Sequence, residues 1–92
     1  MSDKHTALIG KSDAELLGLA PEATHQHFKG GLYRLMGRLR DADHGGWVYG
    51  KDGLPRISYL HVYPYEAQAW VRDLSEAHGD KDGQPRFREL RR

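Results

Sequence analysis

His25-Gln26-His27-Phe28-Lys29-Gly30-Gly31-Leu32-Tyr33-Arg34-Leu35-Met36-Gly37-Arg38-Leu39-Arg40 is the stretch that decides how this chain folds. From Tyr33 onward the side chains alternate. Tyr33, Leu35, Gly37 and Leu39 fall on one face, and Arg34, Met36, Arg38 and Arg40 on the other, which is the period of a half-buried strand. Lys29-Gly30-Gly31 is turn chemistry, because glycine reaches positive φ at little steric cost. His25 to Phe28 then becomes the first strand of a hairpin.

The same period continues downstream. Asp41 to Gly46 reads as a turn leading into Trp47-Val48-Tyr49, and Lys51-Asp52-Gly53 as a further turn of the Asp-Gly type. Ile57 to Tyr63 is the longest alternating run, with Ile57, Tyr59, His61 and Tyr63 against Ser58, Leu60 and Val62. Pro64 stops it, since proline cannot donate to a ladder. Trp70-Val71-Arg72 restarts a strand, Leu74 to His78 makes a helical turn, Gly79 to Gly83 a polar loop, and Pro85 to Leu90 a closing strand. Upstream, Ser12-Asp13-Ala14-Glu15 is a capping box. It opens a short helix over 13–19 that lays Leu16 and Leu19 on whatever lies beneath, with Ala20 adding little. Gly18 and Pro21 limit that helix. Residues 1–11 carry little pattern and read as a flexible N-terminus, and 12–92 as one small domain. Short strands at this spacing, with no second long helix, favour a small barrel or strongly bent sheet over a parallel α/β fold.

Composition narrows the function classes. The chain has 92 residues and a hydrophobic fraction of 38%, so its core is thin and its rings must supply much of the burial. Fourteen Lys and Arg against thirteen Asp and Glu leave a net charge of +1, which is not the footprint of a dedicated nucleic-acid binder. The tail residues Arg86, Arg88, Arg91 and Arg92 and the strand residues Arg34, Arg38 and Arg40 read as solvated faces before they read as a phosphate track. With no cysteine, disulfides, thiolate metal sites and a cysteine nucleophile are excluded. No run approaches the ~20 apolar residues of a membrane span and no secretion signal opens the sequence, so no membrane partner and a cytoplasmic address are expected.

Three stretches carry a family likeness: His27 to Gly37, Trp70-Val71-Arg72-Asp73-Leu74, and Pro85-Arg86-Phe87. In this order they resemble the small bacterial domain-of-unknown-function family 1653, over about residues 24–90. Tyr59 to Tyr65 is similar to that family's Tyr-containing strand. The resemblance implies a compact SH3-like β-barrel with no assigned activity. The family usually has proline directly after Trp-Val-Arg, where this chain has Asp73.

Several side chains are candidates for chemistry. His25 and His27 sit two apart, so on a strand both rings face one way. They could ligate zinc if a third group such as His61 came near. Lys29 beside two glycines could contact an anion, although a P-loop needs a longer loop and a following helix. Trp47, Tyr49, Tyr59, Tyr63, Tyr65 and Trp70 divide between core and a groove able to take a peptide, a proline-rich segment or unstacked bases. Arg72 shares a face with Trp70 and could pair with Glu66 or Glu76, or hold a ligand carboxylate or phosphate bidentately. No nucleophile elbow or triad order is present.

The sequence therefore predicts a mainly β domain, a small SH3-like antiparallel barrel with a short N-terminal helix. It predicts a non-catalytic binding module for a peptide, a nucleic acid or a small anionic ligand. The binding set is His25, His27, Lys29, Tyr33, His61, Tyr65, Trp70 and Arg72, with no catalytic residue, metal or cofactor assigned. The alternatives are a small hydrolase-type or metal-binding enzyme using the histidine face, and a structural, oligomer-forming subunit.

Overall fold

A computed structural model describes residues 4–77, 79–81 and 84–92. A 3-10 turn at Thr6–Leu8 is followed by helix α1 (Asp13–Leu19) and strands β1 (His25–His27), β2 (Leu32–Arg38), β3 (Ile57–Tyr63) and β4 (Gln68–Arg72). A short helix α2 (Leu74–Ala77), a two-stranded ladder of β5 (Asp80–Lys81) and β6 (Gln84–Pro85), and strand β7 (Phe87–Glu89) complete the order. The expected helical turn reaches His78, which lies outside the described residues, as do positions 82 and 83 of the expected polar loop and 1–3 of the N-terminus.

The main sheet has five strands in the order β4-β3-β2-β1-β7, and every neighbouring pair is antiparallel. The chain is thus mainly β with a short N-terminal helix, and the expected hairpin and closing strand are present. Barrel closure is not. β7 pairs with β1, and among the described residues nothing joins β7 to β4. Closure needs tilt and stagger accumulated along the strands. β1 and β7 are three residues each and give little of either.

The capping box forms as its sequence requires: Ser12 Oγ accepts from the Glu15 N–H at 3.2 Å, and Glu15 Oε1 accepts from the Ser12 N–H at 3.4 Å. The helix buries Leu16 completely, but Leu19 is 44% exposed and Ala20 only 6%, a correction to the expected face. Ala20 follows Leu16 by one full turn and so stays over the sheet, whereas Leu19 rotates outward. Around Leu16 gather Leu8, Ala23, Leu32 and Leu90, with Leu17, Val62 and Tyr63 at the margin. Burying a leucine fully is worth ~1.5–3 kcal/mol, so this aliphatic cluster supplies the main packing energy on its side of the sheet.

Polar clamps tie the chain ends to that cluster. The Asp13 carboxylate accepts from the Arg91 N–H at 2.9 Å and from Arg88 Nη1 at 2.7 Å. These bonds hold its pKa below the usual carboxylate value, the Arg91 amide contributing most. Arg92 Nη2 donates to the Pro21 and Ala23 carbonyls. Three of the basic tail residues, Arg88, Arg91 and Arg92, are therefore engaged in holding the helix and the segment that follows it. Buried Gln26 donates to the Leu8 and Gly30 carbonyls and accepts from Arg88 Nη2, so its polar atoms are satisfied.

The Lys29-Gly30-Gly31 tip does more than turn. Gly30 has φ +113°, and a Cβ there would collide with the His5 carbonyl, so the tip is a saddle over which the N-terminal segment crosses. Leu8 then drops into the core at 4% exposure, an anchor that the patternless sequence of residues 1–11 does not announce.

Candidate functional site

Strand register sets the second face of the sheet. His27 lies opposite Phe87, Tyr33 opposite His61, Leu35 opposite Tyr59, Tyr59 opposite Trp70 and Ile57 opposite Arg72. Directly opposed residues share a face. The alternation of Ile57, Tyr59 and His61, all buried, therefore carries the rings of β7, β1, β2, β3 and β4 to one side.

Those rings pack edge to face. The Tyr33 centroid is 5.0 Å from His61, 5.4 Å from Tyr59 and 5.5 Å from Phe87, and Phe87 is 5.0 Å from both Tyr59 and His27. Interplanar angles of 64° to 89° put positive ring edges on negative ring faces. The N-terminal segment adds one more ring. His5 Nε2 meets His61 Nε2 at 2.9 Å and stands edge-on to Tyr65 at 4.8 Å. His61 Nδ1 lies 3.3 Å from the Glu66 carbonyl, which can only accept. His61 in its neutral form therefore carries its proton on Nδ1 and accepts from His5 at Nε2.

Above the rings opens a cleft of about 510 Å³ lined by His5, His27, Lys29, Tyr33, Lys51, Arg56, Tyr59, Trp70, Arg72, Asp73 and Glu76, among others. Four of these side chains are permanent cations and two are carboxylates. Arg56 Nε lies 3.1 Å from Asp73 Oδ1, and Asp73 Oδ2 also accepts from the Lys51 N–H at 3.1 Å. A Cβ on Gly50 would collide with the same carboxylate, so Asp73 pins the 50–56 loop against the end of β4. The residue directly after Trp70-Val71-Arg72 is thus an anchor. Arg72 Nε donates to the Tyr59 hydroxyl at 2.6 Å, and its Nη1 is 3.6 Å from exposed Glu76. The Lys29 and Lys51 ammonium groups meet no carboxylate among the described residues.

Burial and the surrounding cations shift the site's titrations. His27 is lowered from 6.5 to about 4, first by burial and then by Arg72, Lys29, Arg86 and His5. Its Nδ1 accepts from the Lys29 N–H at 3.2 Å, so the neutral ring holds its proton on Nε2. His61 is also lowered, by burial before anything else, with the Glu66 carbonyl opposing. Tyr33 is raised by burial and by Tyr59. At neutral pH the cleft therefore presents the neutral His27 imidazole and tyrosine hydroxyls beneath a cationic rim.

Of the sequence-predicted residues, His27, Lys29, Tyr33, Trp70 and Arg72 line the cleft. His61 is 5% exposed and supports Tyr33 from beneath, and Tyr65, 44% exposed, stands beside His5 and His61. His25 is apart from the lining: its Nδ1 bonds the Thr24 hydroxyl at 2.8 Å. Among the described residues no three His, Asp or Glu side chains gather as metal ligands. Lys51, Arg56, Tyr59, Asp73, Phe87 and His5 complete the site without having been placed in the sequence-predicted binding set. Tyr59 carried a signal as one of the rings divided between core and groove, and Asp73 and Phe87 lay in the stretches singled out, whereas His5, Lys51 and Arg56 carried none.

No family model matches the chain, and neither a curated protein nor a solved structure is similar to it.

Proposed function

We propose that this protein is a non-catalytic binding module whose cleft takes an anionic ligand. One observation carries this reading: four cationic side chains and the Tyr33, Tyr59 and Trp70 rings converge on one open cleft. Two of the cations, Lys29 and Lys51, meet no carboxylate among the described residues, and Arg72 is aimed by the Tyr59 hydroxyl rather than consumed by a buried carboxylate. A planar guanidinium so positioned suits a carboxylate or phosphate, and the exposed Trp70 ring offers a flat apolar wall. A small ligand with an anionic group and a ring or apolar body uses both.

The likeness to family 1653, and the SH3-like architecture that comes with it, belong to the same proposal. In their support, the three stretches of the likeness meet here: His27, Lys29 and Tyr33 from the first, Trp70, Arg72 and Asp73 from the second, and Phe87 from the third.

The test is a titration with benzoate and with inorganic phosphate, followed through the indole resonances of Trp70 and Trp47 and the Nε–H of Arg72. Shifts at Trp70 and Arg72 that saturate, with Trp47 unmoved and the response lost in Arg72→Ala, are expected. Trp47 is a suitable control because it lies outside the cleft lining, its ring in contact with Arg38 and Arg40. Equal shifts at both indoles, or none at either, would refute the reading.

A further inference from the structure

We infer that the ligand class is an extended peptide segment bearing a carboxylate, which adds as a new strand to the outer edge of β4 and sets its acidic group against Arg72 and Lys51. Resting on the anion-binding reading above, this inference narrows it to one partner chemistry.

β4 ends the sheet, and among the described residues no strand pairs with its outer side and no other backbone bond reaches residues 68–72. Natural edges are usually blunted by lysine, proline, a bulge or a cover. β4 has none of these over Gln68-Ala69-Trp70-Val71. Its five pairs with β3 run without a register shift, whereas the β2–β3 ladder shifts twice. All four residues are exposed, Trp70 at 53% and Val71 at 42%. The edge is thus straight and uncharged and, beyond Gln68, apolar, which is the surface that strand addition uses.

The same strand lines the cleft through Trp70, Val71 and Arg72, so edge and cleft form one continuous surface. A free anion would satisfy the cations and leave the edge unpaired. A nucleic acid would do the same, since it has no row of alternating amide donors and acceptors to offer. Only a polypeptide backbone matches both. Charge selects among polypeptides. A second copy pairing β4 to β4 would bring Gln68, Ala69, Trp70 and Val71, none of them acidic, and of the carboxylates flanking that strand Asp73 and Glu76 are already paired with Arg56 and Arg72. An acidic segment supplies a free carboxylate. At ~3.4 Å per residue, five or six residues span the edge and reach Arg72.

The experiment uses the intact chain, labelled with 15N, and soluble hexapeptide pools with Asp or Glu fixed at one position, against pools with Lys there. The expected result is that an acidic pool slows amide exchange in 68–72 and shifts Arg72 Nε–H, while the Lys pool does neither. N-methylation of alternate amides in the selected peptide leaves its charge intact and should weaken binding roughly ten-fold or more, as loss of two or three hydrogen bonds requires. If benzoate or phosphate shifts Arg72 but no acidic pool protects β4, or if N-methylation is without effect, strand addition is overturned and the anion cleft stands. If β4 becomes protected with rising protein concentration alone, a second copy owns the edge and the inference fails. If neither small anions nor peptides move Arg72, both readings fall together.

Discussion

The two faces of the sheet solve opposite problems with residues that are neighbours in sequence. On one side, Leu32 joins Leu8, Leu16, Ala20, Ala23 and Leu90 in a sealed aliphatic cluster, with its one large polar intruder, Gln26, satisfied by backbone carbonyls and Arg88. On the other, Tyr33, the very next residue, joins His61, Tyr59, Phe87 and His27 in a cluster of rings, all but Phe87 polar, that opens to solvent under four cations. Aliphatic packing is indifferent to direction and tolerates no water, so it stabilises. Edge-to-face rings with hydroxyl and imidazole groups at their rims hold fixed directions at lower burial, so they position. The contrast teaches that a thin core need not serve both purposes.

The largest effect that could break this contrast is Leu16→Ala. Removing a completely buried leucine should cost ~2–5 kcal/mol, read as a fall in denaturation midpoint, while any remaining folded protein keeps its Trp70 response to benzoate. Loss of that response in the folded fraction would show the two faces to be one unit. Gly30→Ala comes next, at ~1–3 kcal/mol, because the residue sits at positive φ and its Cβ meets the His5 backbone. It should speed tryptic cleavage at Lys4 and Lys11, and unchanged cleavage would show that the N-terminal segment does not cross the saddle.

Acid should then weaken the ring face first. His27 and His61 both have folded pKa values below 6.5, so the unfolded chain takes up protons before the folded one does. Their contribution is whole above pH 6.5 and is lost as pH falls, for His27 down to about 4. The aliphatic side loses its Asp13 clamp only at lower pH, since that carboxyl is held below 3.8. His27→Gln should flatten the pH dependence of unfolding between 6.5 and 4. An unaltered slope would place the proton uptake elsewhere. The smallest effect is Tyr59→Phe, which deletes the acceptor for Arg72 Nε and should weaken benzoate binding by ~0.5–1.5 kcal/mol. Its signature is weaker benzoate binding with the denaturation midpoint nearly kept. A variant that destabilises strongly yet binds normally would mean that Tyr59 is core rather than a positioning residue for Arg72.

Much of the sheet was legible because its signals are local. The capping box at Ser12 and Glu15, the glycines before Leu32 and the alternation from Ile57 to Tyr63 each act within a few residues, and α1 and β3 have the expected bounds. The ring face could also be foreseen in part, since period two sends Tyr59 and His61 the same way. What sequence could not supply was pairing across distance. His5 reaches His61 because Gly30 leaves room for its backbone, and neither residue announces the other. A shift at Leu35/Gly37 leaves Met36 60% exposed, a bulge that no period marks. His25 and His27 share a strand face as spacing requires, yet the Thr24 hydroxyl takes His25 away from the cleft. Arg56 and Asp73 meet only after two turns have brought their loops together.

The convergence of rings and cations is tested most directly by the titration of a single imidazole. Long-range proton–nitrogen NMR on His27 should show the Nε2–H tautomer at neutral pH and a protonation midpoint of about 4. A midpoint near the ordinary 6.5, with the two tautomers mixed, would mean that His27 stands in water away from Phe87, Lys29 and Arg72, and the cleft described here would not exist.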